Sequence, residues 1–546
     1  MFVRAKRSVR SGHAYEYLQL VRSYRESGRV RQQVLATLGR RDALVASGQL
    51  DGLLVSLARF SEKLRIVEAV RSHGLQARSA RCWGPALVFE RLWQRQGFPE
   101  ELDDLMEGRR FRFNLERACF AMALQRLCCP GSDLQGSGWV KTVEAEGFDK
   151  LELQHFYRTC GWLFEVRQKL ERRLYLRDRD LFSMQLDLVF IDTTSLYVYR
   201  DTETSWRKWG YSRDRRGDLP QFVICVAVDR RGWPVAWEIF PGNTADKEAL
   251  RRIVVLLRQR FNVSSVVVVA DRGMIAADTI ALLTEHPKAP FDYILGCRMR
   301  RQREVSEQVL SRTGRYQTVA DNLQVKEVFV GERRYVVCRN SEEARKDAVA
   351  RDAILAKLQQ TLDKNGPKAI IGNRGFARFV RVSRGAVTID AEAVRRDSRL
   401  DGKFVLTTNT DMPAGEVALT YKSLWRVERV FREEKSTLEV RPIFHHRDDT
   451  SIGHIVASFL ALRLEVDLQN RLDEAKVDVS WPDLMRDLAQ VQAVTVDLDG
   501  QRYRLRTDMV GVAHQAFAAA GVRAPSPVTP LGPSPPEPAS QEVAQV

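Results

Sequence analysis

The chain of 546 residues contains no 18-residue apolar run, and its opening MFVRAKRSVRSG has no hydrophobic core of the kind that directs export. No membrane association is therefore expected, and the expected location is the cytoplasm. Cysteine is sparse and scattered: Cys82, Cys119, Cys128, Cys129, Cys160, Cys225, Cys297 and Cys338. There is no Cys-x-x-Cys pair and no pair of histidines at ligand spacing, so no zinc site is expected. Most of these cysteines sit in apolar segments, as reduced core cysteines do. No long internal repeat is present. Acidic residues are outnumbered, 70 Asp and Glu against 86 Lys and Arg, for a net charge of +16 and a pI near 9.6. A positive field of that size favours polyanionic partners, nucleic acid first. The remaining composition, 44% apolar and 29% charged, is that of an ordinary globular protein. The length allows about two to four domains.

The pattern changes along the chain. Residues 1–41 hold ten basic and two acidic residues, a surplus of eight. AYEYLQLVRSYRESGRVRQQVLATLG predicts two strands joined at Glu26-Ser27-Gly28, a basic β-hairpin suited to phosphates. Residues 48–180 show apolar spacings of three and four and read as helical, with CCPGSDLQGSG as a loop. From Leu186 onward, LDLVFID, SLYVYR, QFVICVAVD and WPVAWEIF read as strands. DKEALRRIVVLLRQRF and AADTIALLTEH then read as helices around the strands SSVVVVAD and FDYILGCRM. Strands in succession, then helix and strand alternating, predict a mixed sheet with helices on its faces. Residues 301–401 read as an inserted α+β subdomain. It holds a hairpin turning at Gly331-Glu332 and a polar helix with Ser341 as N-cap. The sheet resumes at GKFVLTT. The last 23 residues carry seven prolines and are expected to be disordered.

Three carboxylates stand out. Asp192 follows the apolar LDLVFI, and Asp271 follows VVVVA. Groups at strand C-termini collect at one edge of an open α/β sheet, so neighbouring strands would bring the two together. The third comes from EVALTYKSLWRVERVFREEKSTLEV. On one continuous helix Tyr421, Leu424, Glu428, Phe431 and Lys435 fall within about 80°, which predicts Glu428 and Lys435 in a buried stripe. Lys422, Arg426, Arg429, Arg432 and Glu433 take the outer face. Two aspartates and a glutamate suit a pair of Mg2+ ions acting on a phosphodiester, in keeping with the basic charge.

These residues resemble those of the DDE transposases of bacterial insertion sequences. The similarity is to the branch with a β-rich insertion before the glutamate and a Tyr-Arg-Glu-Lys signature. It covers about residues 5–520 and rests on FIDTTSLY, GYSRDRRGDLPQ, PGNTADKEAL, VVVVADRGM and YKSLWRVERVFREEKSTLEVRPIFHH. Tyr421, Glu428 and Lys435 fit the signature spacing, and Leu424 stands at the arginine position. The resemblance implies an α/β fold: a ribonuclease H-like catalytic core interrupted by an α+β insertion, preceded by a basic β-hairpin and a helical DNA-binding region. The implied segments are 1–80, 81–180, 181–300, 301–401, 402–523 and the tail 524–546.

Asp192, Asp271 and Glu428 become the implied catalytic residues and ligands of Mg2+, with Mn2+ a possible substitute. Implied partners are double-stranded DNA, as transposon ends and target, and a second copy of the chain in a homodimer on DNA, with the protein at the bacterial nucleoid. Tyr421, Lys435, Lys422, Arg426 and Arg429 are candidate DNA contacts. So are Arg207, Lys208, Arg213, Arg215 and Arg216, which are interleaved with Trp206, Trp209 and Tyr211 in residues 205–221. Relatives are thought to cut through a DNA hairpin, with a flipped base stacked on a tryptophan of the insertion. Residues 301–401 contain no tryptophan, leaving Tyr316, Phe329, Tyr335, Phe376 and Phe379 as stacking candidates. Two other readings are a transposase-derived DNA-binding protein without catalysis and a phosphohydrolase with Asp192 as nucleophile.

Overall fold

The basic N-terminal segment alternates apolar and charged residues, and it folds as a sheet. In the computed structural model, β1 (Phe2–Arg10), β2 (His13–Glu26) and β3 (Arg29–Arg40) pair antiparallel in that order. The structure describes residues 1–533 except 11–12, 27–28, 59–74, 183–186, 260–265, 272–273, 275–276, 287–289, 371–372, 374, 384–385 and 499. β2 and β3 are the two expected strands. β1 is a third, aligned on β2 from Phe2 opposite Val21 to Arg10 opposite His13. α1 (Arg41–Ala46) and α2 (Gln49–Ala58) follow. The helical reading of residues 59–70 lies outside the described residues.

The block expected to be wholly helical is interrupted by β4 (Leu75–Cys82). Beyond it the helical reading holds, with α3 (Gly84–Arg95), α4 (Phe98–Leu105), α5 (Leu115–Cys128), α6 (Asp133–Trp139) and α7 (Leu153–Phe182). α6 occupies part of the expected loop. Ser132 caps it by accepting the Gln135 N–H, and a Cβ on Gly136 would collide with Gln125 Oε1. Close approach to Gln125 thus accounts for Gly136.

The central sheet is built from β5 (Leu188–Tyr197), β6 (Gln221–Val228) and β7 (Pro234–Pro241), then α8 (Asp246–Gln259), β8 (Val267–Ala270), α9 (Ala277–Thr284) and β9 (Asp292–Gly296). LDLVFID and SLYVYR were expected as separate strands. Instead β5 runs through Asp192, because the β-branched Thr193 and Thr194 suit a strand and pair with Cys225 and Ile224 of β6. The 301–401 block supplies β10 (Gln317–Ala320), β11 (Leu323–Val330) and β12 (Arg333–Asn340), with the β11–β12 turn at Gly331-Glu332 as expected. α10 (Ser341–Asn365) follows. Its N-cap is Asn340, one residue before the expected Ser341, and the Asn340 side chain accepts the N–H groups of Glu342 and Glu343. β13 (Val380–Ser383) and β14 (Ala386–Ile389) form a small hairpin, and α11 (Ala391–Ser398) leads into β15 (Lys403–Thr408).

The nine strands lie in the order β10-β11-β12-β15-β9-β8-β5-β6-β7. The expected mixed sheet is present, with β5, β8 and β9 parallel and the other pairings antiparallel. The hairpin of the 301–401 block continues this sheet rather than forming its own. β6 is buried at every position, as expected of an inner strand. Val189, Ile191, Val223, Cys225 and Ala227 join Leu250, Ile253 and Val254 of α8 in one core cluster. Burying each large side chain there contributes about 1.5–3 kcal/mol.

α12 (Ala414–Lys422), α13 (Trp425–Arg432), a π-helical turn (Glu433–Thr437), α14 (Asp448–Glu474) and α15 (Trp481–Ala489) follow. The chain ends with β16 (Gln492–Leu498), β17 (Gln501–Arg506), α16 (Ala513–Ala520) and β18 (Val528–Pro533). β18, β17, β16 and β4 form a four-stranded sheet in that order. The start of the Pro-rich tail, expected to be disordered, is therefore a strand. Pro530 and Pro533 are tolerated because β18 is an edge. Residues 534–546 lie outside the described residues. The chain divides into two compact units, one of residues 1–81, 491–508 and 525–546, the other of residues 82–490 and 509–524.

Candidate catalytic site

β5 and β8 are parallel neighbours, and their register runs from Leu188 beside Val267 to Ile191 beside Ala270. One step further along both strands stand Asp192 and Asp271. The expected convergence of these two carboxylates thus follows from register, at the interstrand spacing of about 4.8 Å. β8 ends there, whereas β5 continues along β6, so Asp192 lies mid-strand and Asp271 opens the following loop.

Burial raises the Asp192 carboxyl to about 6, and the negative charges of Asp271 and Asp246 push it the same way. The Arg213 guanidinium and the Thr193 N–H oppose the rise. That N–H donates to Asp192 Oδ1 at 2.7 Å. Thr193 Oγ1 donates to Asp246 Oδ1 at 2.7 Å, and Arg213 Nη2 donates to the same Asp246 oxygen at 2.8 Å. The hydroxyls after Asp192 are therefore hydrogen-bonding groups of the site's frame. Thr194, Ser195, Tyr211, Arg213, Asp246 and Lys247 help line a cavity of about 630 Å³. Asp271 is exposed, and the Tyr421 hydroxyl donates to its Oδ1 at 2.8 Å.

Glu428 is on α13, which packs against β5 and β6. The buried stripe expected for it is not formed: Leu424 and Phe431 are buried, Tyr421 and Lys435 are half-buried, and Glu428 is exposed. The projection assumed one continuous helix. The chain instead tightens at Ser423–Leu424, where the Leu424 N–H bonds to Tyr421 O, and widens to π geometry, where the Leu438 N–H bonds to Glu433 O. Both changes shift the phase of the faces. Lys435 donates to Asp214 Oδ1 at 3.0 Å, and Arg441 donates to both oxygens of Asp214 at 2.9 and 3.0 Å. Burial draws the Lys435 ammonium below the usual lysine value, and Asp214 opposes this.

The candidate DNA cations divide by exposure. Arg207 is 4% exposed and binds Asp448 Oδ1 at 2.9 Å and the His446 carbonyl at 2.7 Å. It anchors its loop and is not presented to a ligand. Lys208 is held by Glu203 at 3.3 Å, and Arg216 by Asp218 at 2.7 Å. Arg215 has a positive φ of 59°. Lys422 is exposed, Arg426 stacks over Trp425 at 5.0 Å, and Arg429 lies 3.7 Å from Glu433. Among the aromatics of the 301–401 block, Tyr335, Phe376 and Phe379 are buried and Tyr316 is half-buried, whereas Phe329 is 54% exposed. Asp214, Asp246 and Arg441 complete the frame and were not expected. Asp214 and Asp246 stand inside GYSRDRRGDLPQ and PGNTADKEAL, the motifs that carry the resemblance, so the signal was present.

The chemistry of the donors suits a hard cation: Asp192, Asp271 and Glu428 offer only oxygen. The trio is more open than a closed ligand shell. Among the described residues, the ligand atoms that all lie within 4.8 Å of one another are those of Asp133, Cys160 and His445.

The model of the transposase DDE domain matches residues 183–464, just over half the chain and all three carboxylates. The chain belongs to the DDE transposase family. The N-terminal domain of IS1634 family transposases matches residues 3–74, which include the three-stranded basic sheet. No curated protein matches the sequence. The family implies a DNA-binding enzyme that cuts and joins DNA. Among the described residues of this transposase, no helix is long and apolar enough to cross a membrane.

Proposed function

We propose that this transposase binds the terminal inverted repeats of its insertion sequence, cleaves a phosphodiester at each end and joins the freed 3′-OH to target DNA. Asp192, Asp271 and Glu428 hold Mg2+, with Mn2+ able to replace it. Divalent ions there supply Lewis acidity to phosphate oxygens. The protein's own groups orient and bind. Tyr421 fixes the Asp271 carboxylate through its 2.8 Å hydrogen bond. Arg213, beside Asp192, offers a positive charge to the scissile phosphate. Lys435 is positioned by Asp214. Lys208, Arg215, Arg216, Lys422, Arg426 and Arg429 steer the DNA backbone, and the exposed Trp209 and Tyr211 offer stacking faces.

The run β7-β6-β5-β8-β9, three antiparallel strands followed by two parallel ones entered through α8 and α9, supports reading this unit as a ribonuclease H-like core. Residues 301–401 are then its insertion. The basic sheet of residues 2–40 and the helices up to residue 182 bind the element ends, and two copies bring two ends together.

The observation that carries this reading is the register-adjacent pair Asp192 and Asp271. Asp192→Asn is expected to abolish Mg2+-dependent cleavage of DNA carrying the element ends while retaining end binding. Cleavage by that variant at the wild-type rate overturns the assignment.

A further inference from the structure

Three buried groups far apart in sequence meet away from the catalytic carboxylates. Asp133 is the first residue of α6, Cys160 lies on α7, and His445 lies between the π-helical turn and α14. Their ligand atoms all fall within 4.8 Å of one another. Cys160 Sγ lies 3.5 Å from Asp133 Oδ2, and His445 Nε2 lies 3.5 Å from the same oxygen. A tetrahedral zinc ion with bonds of about 2.0 Å to oxygen and nitrogen and 2.3 Å to sulfur sets its ligands about 3.3–3.6 Å apart. The two distances observed are those of such an edge.

Further observations point to a ligand. Asp133 is 2% exposed, yet its Oδ1 has no hydrogen-bond partner. The nearest cation, Arg126, forms an ion pair with that oxygen at 3.5 Å. Arg126 Nη2 lies 3.0 Å from His454 Nδ1, and His454 Nε2 lies 3.2 Å from the Val440 carbonyl. With Nε2–H donated to Val440, Nδ1 is the acceptor for Arg126, so His454 is neutral and occupied, although it lies 3.3 Å from His445 Nε2. Asp133 and His445 also line a cavity of about 310 Å³ with Tyr157 and Phe444, giving a metal an entry path and room for a fourth ligand.

We propose that Asp133, Cys160 and His445 form a zinc-binding site, distinct from the carboxylates, that staples α6 and α7 to the segment leading into α14. The thiol loses its proton to solvent on binding, and thiolate and carboxylate together neutralise the divalent ion. Arg126, ion-paired with Asp133 Oδ1, restrains that carboxylate. The absence of a Cys-x-x-Cys or paired-histidine spacing does not count against this site, since the ligands come from three separate segments.

Cobalt is the probe that separates this site from an all-oxygen one. The full chain, freed of metal, is titrated with Co2+ and separately assayed for bound zinc. One equivalent per chain bound with a sulfur-to-cobalt charge-transfer band, displaced by Zn2+, is the expected result; cobalt at the all-oxygen carboxylates gives no such band. Cys128→Ser should keep the band and Cys160→Ser should lose it. His445→Ala, at the cavity wall, should weaken Co2+ binding by roughly tenfold or more and so tests the site even if Cys160→Ser does not fold. A wild-type chain that retains no zinc and shows no charge-transfer band overturns the proposal and makes the cluster a hydrogen-bond network alone. A folded Cys160→Ser variant that keeps the band also overturns it.

Discussion

The phenol of Tyr421 donates to Asp271 Oδ1 across 2.8 Å, tying α12 to the end of β8. Asp271 is exposed and lies at the start of a loop, so this bond restrains its carboxylate from outside its own strand. Tyr421→Phe keeps the ring, which stacks on Phe404 at 5.8 Å, and removes only the donor. A hydrogen bond to a charged group is worth about 1.5–3 kcal/mol, so cleavage should fall about tenfold or more with DNA binding unchanged. Single-turnover cleavage of end DNA measures it. An unchanged rate would show that Asp271 needs no such restraint.

Phe329 is the aromatic of the 301–401 block with a free face for a base, at 54% exposure. Base–aromatic stacking contributes about 1–3 kcal/mol per base. Phe329→Ala should therefore lower the yield of any hairpin intermediate on end DNA several-fold and leave stability within about 0.5 kcal/mol. Equal hairpin yields from the two proteins would remove Phe329 from the DNA path.

Arg463 and Asp178 form a buried pair, with Arg463 Nη2 at 2.9 and 3.0 Å from the two carboxylate oxygens. Trp233 lies beneath the guanidinium at 4.5 Å and donates its indole N–H to the same aspartate at 2.9 Å. The group joins α7, α14 and the β6–β7 turn. Removing one charge leaves the other buried, so Arg463→Leu should cost roughly 3–5 kcal/mol in denaturant unfolding. Adding Asp178→Asn should recover part of that loss. A double variant no more stable than the single one would contradict the pairing.

Glu465 is 4% exposed on α14, and its carboxyl is driven well above the ordinary glutamate value, first by burial and then by Glu433. Because the folded form holds its proton more tightly than the unfolded form, stability is full at pH values below about 4.5 and declines as pH rises above it. Glu465→Gln removes that decline. Its melting temperature should exceed that of wild type by a margin that grows as pH rises above 5. A constant difference across that range would show that Glu465 does not carry the effect.

Local pattern reached the central strands because their apolar runs are long. It also reached the pairing of Asp192 with Asp271, which needs only that β5 and β8 be neighbours. It failed where partners are remote. LQARSARC lies in the stretch read as helical, yet it forms β4 because β16, more than 400 residues later, pairs with it. The stripe drawn through Glu428 failed for a local reason, since no periodicity marks a tightened turn at Ser423–Leu424 or the π turn after Arg432. Arg207 was misjudged as a DNA contact because composition records charge and not the buried Asp448 that claims it.

β12 bonds to β15, β15 to β9 and β9 to β8 without a break. A load on the β11–β12 hairpin therefore has no hinge at which to relax among these strands. Three ladders of backbone hydrogen bonds connect that hairpin to β8, the strand that leads into Asp271.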